Sequence, residues 1–126
     1  MIQLSNFDYD TAEVNIKADG VDMVIKVASS FTEEAIKAML TYDASIQAAE
    51  SQGIPLKEEY DNHGVKLERF TETYEKLRAQ LAESLVIDWP IDEPIFETLV
   101  DSQTLTNAII AASREKGEEF AKKKNK

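Results

Sequence analysis

Residues 12–28 read AEVNIKADGVDMVIKVA, and this stretch decides how the fold begins. Apolar and polar residues alternate on both sides of Asp19-Gly20, which is the pattern of half-buried strands. Asp-Gly favours the positive φ angles of a tight turn, so the stretch predicts an antiparallel β-hairpin. A lone hairpin is marginally stable in water, so it must pack on helices or pair with a further strand, from residues 2–4 or from a second subunit. The apolar positions are Val14, Ile16, Val21, Met23, Ile25 and Val27.

The chain after this hairpin predicts a first helix. Ser30 and Glu33 form a capping-box pattern, and Gly53 and Pro55 are stop signals, so the helix should run to about Gln52. The acidic stretch LKEEYDNHG that follows is interpreted as a short turn. The predicted apolar face of the helix is broad and consists of Ala35, Ile36, Met39, Leu40, Tyr42, Ile46 and Ala49.

A second helix is predicted from about Val65 to Val86, on an apolar seam with spacings of three and four residues. The seam either faces the core or contacts a partner, since its narrow stripe also suits coiled-coil-like packing, and self-association into a homo-oligomer stays open. The seam consists of Leu67, Phe70, Tyr74, Leu77 and Leu81.

Two further helices are predicted after Trp89-Pro90 ends the second one. Pro94 opens a short helix, which Asp92 or Glu93 can cap, and Asp101 with Ser102 caps the last helix. Gly117 should weaken that helix by about 1 kcal/mol relative to alanine, so we expect its end to fray. The fold class is therefore α+β and mainly helical, an N-terminal β-hairpin followed by about four α-helices, with residues 1–121 as one domain and 122–126 as a basic tail.

Composition limits the classes of function. The 126 residues contain 24 acidic and 14 basic side chains, for a formal net charge of −10, and a surface of that sign repels phosphate backbones. We therefore expect no nucleic-acid partner, and we interpret the charge either as an aid to solubility or as a mimic of nucleic acid that covers a basic protein. No apolar run approaches the roughly 20 residues of a membrane span, and the N-terminus lacks a signal-peptide pattern, so we expect a soluble intracellular protein.

Residues with catalytic or metal-binding patterns are scarce. The chain has no cysteine and one histidine, His63, and the acids near it lack the spacing of a calcium-binding loop. No serine lies in a Gly-x-Ser-x-Gly turn, and there is no glycine-rich phosphate loop. The sequence therefore predicts a protein that is not an enzyme and has no cofactor or metal site, with a metal-dependent hydrolase as a remote alternative.

Candidate contact residues for a protein partner follow from apolar character. Trp89, the only tryptophan, either fills the junction between helices, with its indole N–H on a carbonyl, or anchors an interface. Phe70, Tyr74 and Leu77 belong to the exposed part of the long seam. These four residues are the predicted partner-binding positions.

The last third of the sequence resembles the C-terminal half of tail assembly chaperones of long-tailed bacteriophages. The matching pieces are the helix end and tryptophan of residues 85–89, the acidic turn of residues 92–94 and the LTNAIIAA helix of residues 105–112. One departure from the family pattern is Pro90, directly after Trp89. The resemblance implies a non-catalytic protein that binds the tape measure protein, keeps it soluble in the host cytoplasm and is absent from the mature virion.

The family also produces a minor longer form by ribosomal frameshifting, and that extension recruits tail tube subunits. The terminal KKKNK suits such an event, because Lys-Lys-Asn can be encoded by an unbroken run of A closed by a pyrimidine. The alternative is a soluble helix end whose lysines complement the helix dipole. Two rival functions stay open: the nucleic-acid mimic, and a virion structural component such as a connector or tail-completion protein.

Overall fold

The computed structural model describes residues 9–18 and 20–124, and it has the expected α+β fold. The predicted N-terminal hairpin is confirmed: β1 (Thr11–Ala18) pairs antiparallel with β2 (Val21–Ala28), and Ala18 lies opposite Val21. Gly20 has a φ of 78°, as the tight turn requires. Residue 19 and the proposed strand at residues 2–4 lie outside the described residues.

The strand that completes this sheet comes from the middle of the chain. β5 (Val86–Asp88) pairs antiparallel with β2, which gives the strand order β1-β2-β5. Val86 lies opposite Val27, which has no exposed surface. The end of the predicted second helix is therefore extended rather than helical, because Val86 and Ile87 are β-branched residues that suit a sheet edge.

The first helix, α1, spans Glu33–Ser51 and ends before Gly53 as predicted. Its N-cap is Thr32, whose Oγ1 accepts the backbone N–H of Ala35 at 3.2 Å, so the predicted capping role of Ser30 is wrong. Ser30 instead donates its own N–H to the carbonyl of Ser113 at 3.0 Å and lies two residues before the N-cap.

The predicted apolar face of α1 is only partly buried. Its buried residues are all small, namely Ala35, Ala38 and Ala49, and they allow α1 to pack closely against the next helix. The larger residues Ile36, Met39 and Leu40 are exposed, so that part of the prediction is wrong.

A second β-hairpin replaces the predicted turn and the start of the predicted long helix. β3 (Lys57–Asn62) pairs antiparallel with β4 (Val65–Phe70), and the connecting residues His63 and Gly64 have φ values of 53° and 83°. Two successive positive φ angles make a tight hairpin turn. Asp61 Oδ1 accepts the N–H of Gly64 at 3.1 Å and supports this turn.

The remaining helices follow the predicted order. α2 spans Glu72–Leu85, α3 spans Ile95–Asp101 and α4 spans Gln103–Lys124. Thr71 caps α2 by accepting the N–H of Tyr74, and Ser102 caps α4 by accepting the N–H of Leu105. Within the described residues, no helix combines the length and apolar character that crossing a membrane requires.

The core lies between the three-stranded sheet and helices α2, α3 and α4. Thr106, a fully buried polar residue, donates its hydroxyl to the carbonyl of Leu99 at 2.7 Å, so its burial leaves no unpaired donor. The large buried side chains of this core are Ile25, Val27, Leu81, Leu85, Leu99 and Ile109.

The C-terminal helix is held along its whole described length, so the expected fraying is wrong as far as Lys124. Gly117 lies against Ser30, and a Cβ at that position would collide with the serine Oγ. Further along α4, the Phe120 ring stacks on Phe31 with centroids 4.2 Å apart. Lys123 Nζ lies 5.1 Å from the centre of the Tyr9 ring, a cation–π contact that ties the end of the helix to the N-terminal side of the domain.

Candidate protein-binding surface

An aromatic pair marks the base of the second hairpin. Phe70 ends β4 and Tyr74 lies in the first turn of α2, and their ring centroids are 4.5 Å apart in an edge-to-face arrangement. Thr71 between them fixes the junction, because its N–H donates to the carbonyl of Leu56 at 3.0 Å and its hydroxyl donates to the carbonyl of Pro55 at 2.8 Å. The hairpin therefore leaves and re-enters the body at one well-defined point.

A shallow groove runs beside Tyr74, between the end of α1 and the hairpin base. Its volume is about 390 Å³, and apolar side chains form most of its wall, with one acid and one lysine at the rim. A groove of this kind can accept an apolar side chain from a partner while the charged rim sets its orientation. The lining residues are Ile46, Glu50, Ile54, Leu56, Lys57 and Tyr74.

Tyr74 is oriented by a second tyrosine on α1. Burial and the hydrogen bond with Tyr74 raise the pKa of Tyr42 to about 12, while that hydrogen bond lowers the pKa of Tyr74. Arg78, whose guanidinium lies 5.9 Å from the centre of the Tyr74 ring, donates to Asn107 Oδ1 at 2.7 Å. The tyrosine ring is thus preorganised before any partner arrives.

The β3–β4 hairpin is exposed on both faces, and only Leu67 is half-buried. Tyr60 lies opposite Leu67 on one face, and Val65, which is 57% exposed, begins the second strand on the same side. The other face carries Glu59 directly opposite Glu68, a like-charge pair that weakens the hairpin. An isolated two-stranded ribbon with exposed apolar side chains is marginal in water, so a partner that covered it would stabilise it.

A second apolar surface lies on the outer side of α1. Ile36, Met39 and Leu40 are 49%, 40% and 64% exposed. Residues separated by three and four positions share one side of a helix, so the three side chains are neighbours. We call this surface the α1 stripe.

Of the four predicted contact residues, two lie together at the hairpin base and the other two pack against the body elsewhere. Phe70 and Tyr74 lie together at the hairpin base, and Phe70 remains 45% exposed. Leu77 lines a small cavity of about 30 Å³ between α1 and α2, where it packs rather than projects. Trp89 lies beyond the far end of α2, half-buried against the core, and its Nε1–H donates to the carbonyl of Glu93 at 2.9 Å. That contact is the packing role that the sequence offered as one alternative for this tryptophan.

The predicted contact residues included Phe70 of the hairpin but neither its exposed residues Tyr60 and Val65 nor the residues of the α1 stripe. One usable signal was present: Asn62-His63-Gly64 is turn-like and stands between Tyr60 and Val65, as in a short hairpin. The α1 stripe carried no such signal, because large apolar residues on a helix are normally assigned to the core.

Among residues 9–18 and 20–124, no group of three or more histidine, aspartate or glutamate side chains is placed to hold a metal ion. His63, the one histidine of the sequence, occupies the exposed turn of the second hairpin.

No known protein family, curated protein or solved structure matches this chain significantly.

Proposed function

We propose that this protein is a non-catalytic assembly chaperone that binds another protein reversibly, as the tail assembly chaperones of long-tailed bacteriophages do. The observation that carries the proposal is the exposed apolar surface of the β3–β4 hairpin and the α1 stripe on a strongly acidic chain. Contiguous exposed apolar groups with polar surroundings are typical of protein interaction sites.

The physical requirements of such a chaperone agree with this surface. A chaperone must hold its client through many weak contacts and then release it, so the contacts should be shallow and separated. The groove beside Tyr74 is open, and the hairpin is held to the body mainly at its base. A high net charge keeps the chaperone and its bound client in solution.

The client in this proposal is the tape measure protein, a long helical protein that aggregates alone. A minor frameshift-extended form would recruit tail tube subunits, and the resemblance of residues 81–126 to the phage family supports both assignments. The protein would act in the host cytoplasm and be absent from the finished particle.

The direct test is co-expression with the long helical protein that the proposal expects to be encoded beside this gene. The expected result is a soluble complex, whereas the long protein alone enters the insoluble fraction. Val65→Asp should reduce the soluble yield, because a carboxylate on the apolar face of the second hairpin opposes docking. Val21→Asp is a matched control, since Val21 also begins the second strand of a hairpin and is 55% exposed, against 57% for Val65.

Two results would contradict the proposal. One is a long partner that stays insoluble with the wild-type chain. The other is abundant wild-type chain in purified virions by mass spectrometry, which would favour a structural component. The nucleotide sequence tests the extended form separately, since an interrupted A-run with no open −1 frame would remove it.

A further inference from the structure

The α1 stripe is an apolar surface that the fold itself does not use. α1 attaches to α2 through its alanine side, where Ala35 is fully buried, and the stripe lies on the exposed flank beside that contact. A single exposed leucine is ordinary in a soluble protein, but three adjacent large apolar side chains form a patch. Polar residues at these positions would leave the α1–α2 contact intact, so the patch calls for an explanation other than folding.

Acidic residues continue the same side of the helix. Asp43 and Glu50 follow Ile36 at spacings of seven, which is two helical turns, so they lie in line with the stripe. Within the described part of the chain, neither carboxylate makes an ion pair. Lys37, the only basic residue of α1, is already bound to Glu33 at 3.0 Å. The stripe is therefore an apolar patch with an unpaired acidic extension.

We propose that the α1 stripe binds an amphipathic helix that carries apolar residues at three- and four-residue spacing and lysine or arginine beside them. The apolar side would cover Ile36, Met39 and Leu40, and the basic residues would pair with Asp43 and Glu50. This inference rests on the proposed function and gives the chemistry of the client segment. An amphipathic helix that docks in this way makes its main contacts through its apolar side chains at positions i, i+3, i+4 and i+7.

Charge also decides against a second copy of this chain as the occupant. An antiparallel pair of α1 helices would bring two acidic extensions to the same interface, beside two chains of net charge −10. Like charges at an interface oppose association, whereas basic residues on the occupant complement this surface.

The test uses a fluorescent synthetic helix of leucine, alanine and lysine with this pattern, and a scrambled peptide of the same composition. The patterned peptide should bind the full chain, and its affinity should fall as salt is raised. Leu40→Asp distinguishes docking from simple charge attraction. It adds a negative charge, which by itself would strengthen binding of the lysine peptide, but it removes apolar area from the stripe. Docking on the stripe predicts binding about tenfold weaker, as for loss of one central apolar contact.

Control variants keep this result interpretable. Ile87→Asp adds the same charge at a residue that is 58% exposed on β5, and it should leave the affinity unchanged. Leu40→Gln should also weaken binding, and it retains good helix propensity in case aspartate disturbs α1. Circular dichroism of each variant verifies that the helices remain.

Charge reversal provides the second arm. Asp43→Lys with Glu50→Lys should weaken binding of the lysine peptide and strengthen binding of a glutamate version of it. Glu83→Lys with Glu97→Lys makes the same change in net charge on exposed positions of α2 and α3, and it should not reverse the preference.

Three outcomes would overturn the inference: tighter binding by Leu40→Asp, equal binding of the scrambled peptide, or a wild-type dimer that Leu40→Asp converts to a monomer in sedimentation. The proposed function is separable from all three. If the long partner is still kept soluble by the Leu40 and Asp43 variants and is lost with Val65→Asp, the chaperone proposal stands and the α1 stripe is not its site.

Discussion

Replacing Gly117 by alanine should destabilise this protein, although alanine is the better helix former. Gly117 lies inside α4, where the substitution would gain about 1 kcal/mol in a free helix. Here a Cβ would collide with Oγ of Ser30 and lie 3.0 Å from the Cβ of the same residue. Rotation of the serine hydroxyl relieves the first contact but not the second.

The segment that carries Ser30 cannot move away from α4 without a loss of stability. Its N–H donates to the carbonyl of Ser113, one helical turn before Gly117, at 3.0 Å. A shift that made room for the new methyl group would lengthen this bond, and a hydrogen bond of this kind contributes about 1 kcal/mol. Overpacking costs about 1 to 3 kcal/mol, and with the lost hydrogen bond of about 1 kcal/mol set against the helix gain of about 1 kcal/mol we expect the free energy of unfolding to fall by about 1 to 3 kcal/mol.

Urea denaturation followed by circular dichroism measures this effect. Ser30→Gly removes both the Oγ and the Cβ that the new methyl group would meet and keeps the backbone hydrogen bond, so the double variant should recover about 1 kcal/mol of the loss as a coupling energy. If Gly117→Ala instead stabilised the protein by the full helix gain, the close approach of Ser30 to α4 would be refuted. Additive effects of the two substitutions would refute the collision as the cause of the loss.

Three further predictions concern single side chains. Ser29→Ala should raise the free energy of unfolding by about 1 kcal/mol, because its buried Oγ has no hydrogen-bond partner among the described residues; a urea titration that shows a loss would reveal one. Glu59→Gln should remove the repulsion from Glu68, stabilise the hairpin by a few tenths of a kcal/mol and slow its amide exchange; unchanged exchange would count against that repulsion. The pKa of Tyr42 in the folded protein is about 12, above the ordinary value of 10.0, so its contribution to stability is complete below pH 10 and is lost as the pH rises to 12. The pKa of Tyr74 is lowered, so its contribution to stability is present above pH 10 and is lost as the pH falls below 10. Phenolate absorbance should show Tyr74 ionising first, and Tyr74→Phe should lower the pKa of Tyr42; an unchanged value would exclude the hydrogen bond between them.

The sequence predicted the first hairpin and the extent of α1 because independent local signals agreed there. Alternation and Asp19-Gly20 indicate the same turn, and Gly53 ends α1 where its apolar pattern stops. The second hairpin was missed because Leu67, Phe70 and Tyr74 also fit helical spacing, and their strands are rich in charged residues. In the structure His63 takes a positive φ, which is uncommon for residues other than glycine, and this allows the tight turn between β3 and β4.

The candidate surface was only half predictable for a related reason. Phe70 and Tyr74 lie four residues apart, so their proximity followed from the chain itself. The α1 stripe did not follow, because periodicity locates the sides of a helix but cannot tell which side is inside. In α1 the alanine side allows the closest approach of α2, and that packing outweighs the larger area of the adjoining flank that carries the α1 stripe.

The single attachment point of the β3–β4 hairpin has a consequence for how such a protein can evolve. Its two strands join the body beside the Thr71–Pro55 hydrogen bond, and most of their side chains take no part in the core. A lineage could therefore lengthen, shorten or exchange this ribbon and change the surface that it exposes while α1 and α2 keep their packing. The same property makes the tip at His63 and Gly64 a suitable place to graft a foreign peptide for display.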